Sequence, residues 1–351
     1  MLETYRRLLY NKNIDMYEVI LLQTRDTNLA GFIETADLDA RYDQQAKKLI
    51  SNVMILSWIL KETLNEYKGL SVAEVAECII GKPEISKKAV HQDMPDRDDI
   101  EPADRTVEGM NTESNSMNEH TIHYDIRFKA KIPGTNDAVE LIINVEVQVD
   151  ASSGRKIIRR GFYYCTRMVS EQYGTEFTDD HYEKIKKVVS IWICPNPTKK
   201  RRDSIVVGKL NGEVIYGEPD FEESDFDLAE VIVISLNDES ETSEQSIIRL
   251  LSVLLSGKDT AEQKKDVLKN EFDIPMTVAF TKEVDDMATL SSAFRKSVEV
   301  RKEQEVIRKL AEKMLNNKEP VEKIEDYCNV SEDYITELAE SIGVKVVYGR
   351  G

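Results

Sequence analysis

The side chains best suited to chemistry lie on two neighbouring segments that alternate as β-strands do. In HTIHYDIRF, this alternation places Asp125 on the face away from the aromatic and aliphatic side chains. In LIINVEVQVD, valines occupy one face while Glu146 and Gln148 share the other. The intervening PGTND has the composition of a turn, so the two segments predict a β-hairpin. If the turn centres between Thr135 and Asn136, Asp125 lies directly opposite Glu146.

Two carboxylates held across a sheet repel each other, and this repulsion limits what the pair can be. A cation between Asp125 and Glu146 would relieve it, and such an oxygen-rich site suits Mg²⁺ or Mn²⁺. The alternative is that both side chains lie in water at the edge of a sheet. The spacing leaves both interpretations open, and a β-bulge would shift the register by one or two residues.

The segment after the hairpin, GRKIIRRGFYYCTRMVSEQYG, is predicted to be a helix with arginine and tyrosine on one face. Arg160, Tyr164 and Arg167 are spaced i, i+4 and i+7, which places them together on that face. Such side chains are suited to contacts with phosphate and sugar. The alternative is a packing helix with tyrosine in the core and arginine in solvent.

These segments belong to an alternation of predicted helices and strands in a chain of 351 residues. KKLISNVMILSWILKETLNEYKG is predicted as one amphipathic helix that ends at Gly69, and LSVAEVAECIIG as a second, short helix. The continuous apolar runs in KKVVSIWIC and LAEVIVIS indicate strands that are buried on both faces. After about Ser243 every segment is predicted to be helical. The order predicts an α/β core with a mixed sheet, followed by a C-terminal helical region.

The chain therefore divides into three predicted parts: an N-terminal segment, 1–46, a core domain, 47–242, and the helical region, 243–351. Within the core domain, residues 83–120 are polar, acidic and poor in aromatic side chains. This composition is typical of a long loop or of disorder.

The charge of the chain is acidic overall but uneven. The net charge of −18 argues against a polyanionic partner. Residues 151–210, however, hold 13 Lys or Arg against 6 Asp or Glu, whereas residues 83–120 hold 4 basic and 10 acidic side chains. Residues 211–246 hold 12 acidic side chains and no Lys or Arg. One basic segment thus lies between acidic flanks, and the local field decides whether a polyanion binds. Ordinary surface lysines and arginines are the alternative explanation.

Several classes of protein are disfavoured by composition. No run of about 18 apolar residues occurs, so no membrane span is predicted, and the first residues lack the features of a signal peptide. The four cysteines are far apart and the four histidines form no cluster with metal-ligand spacing. We therefore expect a cytoplasmic protein with free thiols, without a zinc site or a disulfide framework.

The pattern YDI…INVEVQ…RRGFYYCTRMVSEQ…KKVVSIWIC resembles the PD-(D/E)XK nuclease superfamily. It is most similar to the PD-(D/E)XK family of transposases, which are related to the recombination-promoting nucleases of bacteria. The resemblance spans roughly Ile50 to Pro195 and continues more weakly through the helical tail. It implies a restriction-endonuclease-like core, with a central mixed β-sheet flanked by helices, in a nuclease-like domain at residues 47–242. It also implies a role in recombination or in the biology of mobile elements.

The resemblance assigns roles to the residues of the predicted hairpin. Asp125 matches the first acid of the nuclease motif and Glu146 the second, and both would be ligands of Mg²⁺ or Mn²⁺. The backbone carbonyl of Val147 would complete the protein's contribution to the metal. Gln148 stands where the superfamily has a lysine. A glutamine can position the attacking water but supplies no positive charge, so more of the catalysis would fall to the metal.

The resemblance also implies a further acid from the first helix and a nucleic-acid partner. Glu62 and Glu66 are the candidates for the acid, with Glu66 preferred, and Glu113 and Glu119 are weaker ones. Both helix residues could instead lie on a solvated face. The implied partner is DNA, which Arg160, Tyr164 and Arg167 would hold by its backbone, without sequence specificity.

Two further alternatives concern the whole protein and its C-terminal end. The acidity of the chain and the missing lysine favour a catalytically inactive binding or assembly protein that keeps the nuclease fold. The terminal helices PVEKIEDYCNV and SEDYITELAESIGV could form a helix-turn-helix reader of DNA. Because they are acidic, packing or homo-oligomer formation is the preferred role.

Overall fold

The computed structural model describes residues 28–85, 113–116, 119–123, 125–134, 138–145, 154–237 and 243–349. The helices of these residues are α1 (Asn28–Ile50), α2 (Val53–Thr63), α3 (Val72–Cys78), α4 (Gly154–Glu171), α5 (Ser246–Leu255), α6 (Ala261–Asn270), α7 (Val278–Asn316), α8 (Val321–Cys328) and α9 (Glu332–Ile342). The strands are β1 (Ile79–Ile85), β2 (Glu113–Ser116), β3 (Glu119–His123), β4 (Ile126–Lys131), β5 (Ala138–Val145), β6 (Val188–Cys194), β7 (Ser204–Lys209) and β8 (Ala229–Ser235). The fold is therefore mixed α/β, as the sequence predicts.

Six of the strands form one mixed sheet in the order β1-β4-β5-β6-β8-β7. The neighbours β5–β6 and β6–β8 are parallel, and the other three pairs are antiparallel. Every residue of β6 and β8 is buried, which confirms the interpretation of their continuous apolar runs. The strands β2 and β3 form a separate hairpin, so the predicted strand TIHYDIRFKAKI is divided between two sheets.

Helix α4 packs across β6 and β8 on one face of the sheet. A glycine in α4 permits the close approach, because a Cβ at Gly161 would lie 2.4 Å from Val231 Cγ1. The odd-numbered residues of β8, Ala229, Val231 and Val233, belong to the core shared with α4. Glu230 alternates with them and so faces the opposite side of the sheet.

Helices α1 and α2 replace the single long helix that the sequence predicts. Ser51 and Asn52 interrupt it, and the Asn52 side chain caps α2 by accepting a hydrogen bond from the Met54 backbone. Helix α2 ends at Thr63, and a 3₁₀ turn, Asn65–Tyr67, follows it. Gly69 does adopt a left-handed conformation (φ +90°), but beyond that turn and not as the cap of α2.

The described chain divides into two compact units, residues 1–292 and 293–351. In the second unit, α8 and α9 pack with the end of α7 around a common apolar core that includes Leu315, Ile324 and Ile335. In the first unit, α5 contacts α2, and Tyr42 of α1 donates a hydrogen bond to the Leu255 carbonyl at the end of α5. The domain limits at 46 and 242 stay sequence-based predictions.

Two expectations from composition concern thiols and membranes. No disulfide joins any of the four cysteines, and burial raises the pKa of the Cys165 thiol to about 12, so this thiol stays protonated at neutral pH. None of the described helices combines the length and the apolar composition that a membrane crossing requires.

Candidate active site

Asp125 lies in a bend immediately before β4, at one edge of the sheet, and is only 5% exposed. The first residue of β4, Ile126, pairs with Ile143 of β5, which in turn pairs with Ile191 of β6. Asp125 therefore lies near the carboxyl ends of the parallel strands β5 and β6. In open α/β sheets this edge is where ligands bind, so the position of Asp125 suits a functional carboxylate.

The register of the hairpin differs from the predicted one by two residues. Arg127 pairs with Ile142, so a continued ladder would place Asp125 opposite Asn144 and not opposite Glu146. The observed pairs place the centre of the hairpin one residue closer to β4 than the predicted position between Thr135 and Asn136. Gly134, at φ +76°, lies next to this centre.

The partner of Asp125 is a buried lysine that the sequence interpretation did not single out. Lys47 of α1 is 1% exposed, and its Nζ lies 2.7 Å from Asp125 Oδ1 and 2.6 Å from Asp43 Oδ2. Burial alone would lower the pKa of Lys47. The charges of the two carboxylates and their hydrogen bonds outweigh it, so the pKa lies above its usual value. This group of three side chains, Asp43, Lys47 and Asp125, is termed the carboxyl-edge cluster.

The helical period of α1 explains why Lys47 points inward. Tyr42, Ala46 and Leu49 are buried and follow the i, i+4, i+7 pattern, and Lys47 lies at the border of their stripe. The i, i+4 spacing of Asp43 and Lys47 is visible in the sequence, but it is common on solvated helix faces. Only the contact with Asp125, made across 78 positions of the chain, distinguishes this pair.

One of the three predicted DNA-binding residues lies at the same edge as Asp125. Arg160 lies over the ring of Trp192, with its Cζ 4.8 Å from the ring centroid, and Trp192 pairs with Asn144 near the end of β5. Tyr164 is buried against the same tryptophan, 5.5 Å between ring centroids. Arg167 is also buried and lies about 10 Å further along α4, towards the opposite edge. The roles of all three in binding DNA stay predictions.

The structure does not bring Glu66 to Asp125. Glu66 belongs to the 3₁₀ turn after α2, and its Oε1 lies 2.5 Å from the Nζ of Lys187, immediately before β6. That is the amino end of the strands, about 16 Å along β6 from the level of Asp125. Lys187 also pairs with Asp227 (2.9 Å) and with the buried Glu230 (3.0 Å). We call these four side chains the amino-edge cluster. Glu62 is half-buried on α2.

Three of the remaining candidates fall outside the described residues. Glu146, Val147 and Gln148 follow the last described residue of β5, Val145, and their predicted roles as ligands and water-positioning group stay predictions. Glu113 and Glu119 begin β2 and β3, in the separate hairpin.

The donor atoms of the carboxyl-edge cluster agree in type with Mg²⁺ or Mn²⁺. Asp43 and Asp125 present carboxylate oxygens to one point in space, which Lys47 occupies. Across the described ranges, no three Asp, Glu, His or Cys side chains are grouped to hold a metal ion. A metal at this edge would thus need donors from the chain that follows Val145, which is where the resemblance expects them.

No model of a known protein family matches this chain, and neither a curated protein nor a solved structure is similar to it.

Proposed function

We propose that this chain is a divalent-metal-dependent nuclease that hydrolyses the phosphodiester bonds of DNA at the carboxyl edge of its sheet. The observation that carries the proposal is the buried Asp125 carboxylate at this edge, in contact with a buried lysine. Buried charged groups near a ligand-binding edge are candidates for function. The resemblance to the PD-(D/E)XK nucleases supports the same residue. The sheet is mixed, as the resemblance expects, and α4 covers one of its faces.

Mg²⁺ or Mn²⁺, when bound, would polarise the scissile phosphate and lower the pKa of an attacking water. Asp125, Glu146 and the Val147 carbonyl would hold the ion, with Asp43 as a further oxygen donor. Gln148 would accept and donate hydrogen bonds to position the water. Because this glutamine carries no charge, a fixed positive charge must come from elsewhere. Lys47 lies close enough to Asp125 to supply it.

Lys47 also has a role before any metal binds. Two buried carboxylates without a cation would repel each other and would be desolvated at high cost. The ammonium of Lys47 offsets both effects and orients the Asp125 carboxylate. Arg160, stacked on Trp192 at the same edge, would contribute a phosphate contact that does not read sequence.

Cleavage of plasmid and single-stranded DNA, assayed with Mg²⁺ or Mn²⁺, tests this proposal. Asp125→Asn should lower the cleavage rate by about 100-fold or more, as loss of a metal-supporting group does. Glu66→Gln is the matched control, because it removes a carboxylate charge from the amino-edge cluster. Calorimetric titration with Mn²⁺ in the absence of DNA provides a second measurement, and binding should be lost in Asp125→Asn only. Equal effects of the two substitutions would contradict the placement of the site.

A catalytically inactive, nuclease-fold binding or assembly protein is the second candidate. The observation that favours it is the ion pair between Lys47 and Asp125, because an ammonium occupies the carboxylate that a metal would need. Gln148 in place of lysine favours it as well. This candidate predicts DNA binding without cleavage, equal in the wild-type protein and in Asp125→Asn.

A further inference from the structure

Strand β7 ends the six-stranded sheet on one side. Among the described residues it pairs only with β8, so its other edge presents backbone N–H and C=O groups without a neighbouring strand. Val206 and Val207, at the centre of this strand, are both exposed. Edge strands of this kind pair readily with another chain, and proteins usually protect them with charge, proline or a cover.

The loop after β7 adds an apolar surface to this edge. In residues 210–228, Ile215 is 92% exposed and Tyr216 is 95% exposed, and Val214 and Phe221 are exposed as well. Isolated apolar side chains at a surface are common, but several in one short loop are typical of an interaction site.

The two ends of β7 carry opposite charges. The turn before the strand contains four consecutive basic residues, Lys199, Lys200, Arg201 and Arg202. The loop after the strand, residues 210–228, contains seven acidic residues and no Lys or Arg. One of the seven, Asp227, is already paired with Lys187. The surface around β7 is therefore basic at one end and acidic at the other.

We propose that β7 pairs with β7 of a second copy of this chain, in antiparallel orientation about a two-fold axis. In this arrangement the beginning of one strand lies beside the end of the other, so each basic turn meets the acidic loop of the partner. A parallel pairing would place like charges together and is disfavoured. The same geometry covers Val206 and Val207 and joins the two six-stranded sheets into one.

The two-fold axis restricts the register, because opposite residues of an antiparallel pair point to the same face, so their numbers must add to an even total. A pairing near the centre of the six-residue strand places Val206 opposite the partner's Val206 and Ser204 opposite the partner's Gly208. Continued in both directions, this register brings Lys199 of one copy to the level of the partner's Glu213. Ladder hydrogen bonds would supply affinity, and the two charge contacts would select orientation and partner.

Sedimentation of the full-length chain over a range of concentrations tests this interface. A dimer is expected, and it should weaken as NaCl is raised. Reversing the basic turn (Lys199→Glu, Lys200→Glu, Arg201→Glu) or the acidic loop (Glu213→Lys, Glu218→Lys, Asp220→Lys) should each weaken it by about tenfold or more. A mixture of the two variants should dimerise again, because both charge contacts of the mixed pair are then attractive.

Val206→Lys introduces a charge at the centre of the strand itself and should weaken the dimer. Val306→Lys is the control. Val306 is likewise an exposed valine, on α7 in the other compact unit, and its substitution should leave the dimer intact. Circular dichroism and thermal melting would show that each variant is folded. A wild-type chain that stays monomeric at about 100 µM, well above the range of typical specific interfaces, would overturn the proposal. So would a dimer that neither charge reversal weakens, since another surface, such as α8 and α9, would then form it.

Discussion

Each of the two edges of the sheet buries a lysine among carboxylates, but the two clusters differ in the number of charged partners and in the burial of the lysine. At the amino edge, Lys187 has three carboxylate partners, and Lys209 lies 3.6 Å from one of them, Glu230. At the carboxyl edge, a more deeply buried Lys47 has two partners from different elements. Both lysines have raised pKa values, because the carboxylate charges outweigh the opposing effect of burial.

The position of each cluster in the fold, more than its composition, indicates whether its role is structural or functional. The amino-edge cluster joins the end of α2 to β6, to β8 and to the loop before β8, which are elements that the fold must hold together. The carboxyl-edge cluster lies where α/β sheets bind ligands, next to the last residues of β5. A third buried lysine, Lys264, shows the purely structural case. It donates to the carbonyls of Val253, Leu254 and Ser256, and so caps the end of α5.

The largest effect on stability should come from Lys47→Met. It leaves Asp43 and Asp125 buried without their cation, which should cost about 3–5 kcal/mol of unfolding free energy. Lys187→Met should cost less, because Asp227 is partly exposed and Lys209 remains near Glu230. Urea denaturation of both variants measures the difference.

Restoring the charge balance provides the control for this prediction. Adding Asp43→Asn and Asp125→Asn to Lys47→Met should recover part of the loss, because no buried carboxylate then lacks a partner. If Lys187→Met were the more destabilising substitution, the carboxyl-edge cluster would be the better solvated of the two, contrary to its burial.

The two clusters also show which features of the fold and of the site can be predicted from the sequence alone. Apolar runs predict β6 and β8, and alternation groups Ile126 with Phe128 on one face of β4, where both are buried. The same alternation places Asp125 and Arg127 on the other face, but it does not predict that they are buried as well. The role of Asp125 as an acid of the site comes from the resemblance and stays a prediction. The contact of Lys47 with Asp125 depends on packing between distant elements, which no local pattern encodes.

Other differences between the predicted and the observed structure also arise from features that the local sequence pattern does not encode. The hairpin register depends on where the turn is centred, and a shift of this centre by one residue changes every pair in the ladder. The sequence pattern places Glu62 and Glu66 at i and i+4 of one predicted helix. The helix ends between them, and the chain then leads Glu66 to the other edge. Strand β7 was not predicted, because a half-exposed edge strand lacks the long apolar run of its buried neighbours.

Helix α4 provides a way to disturb the carboxyl edge without touching its charges. Gly161→Ala would place a methyl group 2.4 Å from Val231 Cγ1, so α4 must move or the valine must repack. We expect a loss of about 1–3 kcal/mol in the free energy of unfolding, as for other overpacked sites. Thermal melting measures it, with Ser170→Ala, on the exposed side of α4, as a control near zero.

Arg160 tests whether the carboxyl edge binds nucleic acid. Arg160→Gln removes the cation over Trp192 and should weaken DNA binding in proportion to one lost phosphate contact. The slope of log affinity against log salt concentration should fall by about one. Arg249→Gln is the control, because Arg249 is a surface arginine paired with Glu271. An unchanged slope for Arg160→Gln would remove this arginine from the proposed interface.

The smallest effect on the free energy of unfolding should come from the surface ion pair between Arg249 and Glu271, whose charges are in contact with water. Arg249 holds Glu271 through two hydrogen bonds of 2.6 Å, and these bonds lower the pKa of the Glu271 carboxyl. Because the folded-state pKa is below the unfolded one, the pair stabilises the protein above the ordinary carboxyl pKa. That contribution is lost as pH falls through the lowered value. Since both side chains are solvated, the contribution should be only about 0.2–1 kcal/mol.

Urea denaturation of the wild-type protein and of Glu271→Gln at pH 7 and at about pH 3, below the usual carboxyl pKa, measures this difference. It should be present at pH 7, shrink at pH 3 and shrink again in high salt. A difference as large as that of Lys47→Met would mean that burial is not what separates the carboxyl-edge cluster from a surface ion pair. Such a result would contradict the expectation that the buried clusters contribute more to stability than a surface ion pair does. A small, salt-sensitive difference would instead indicate that Lys47→Met is destabilising because the carboxylates that Lys47 neutralises are buried away from water.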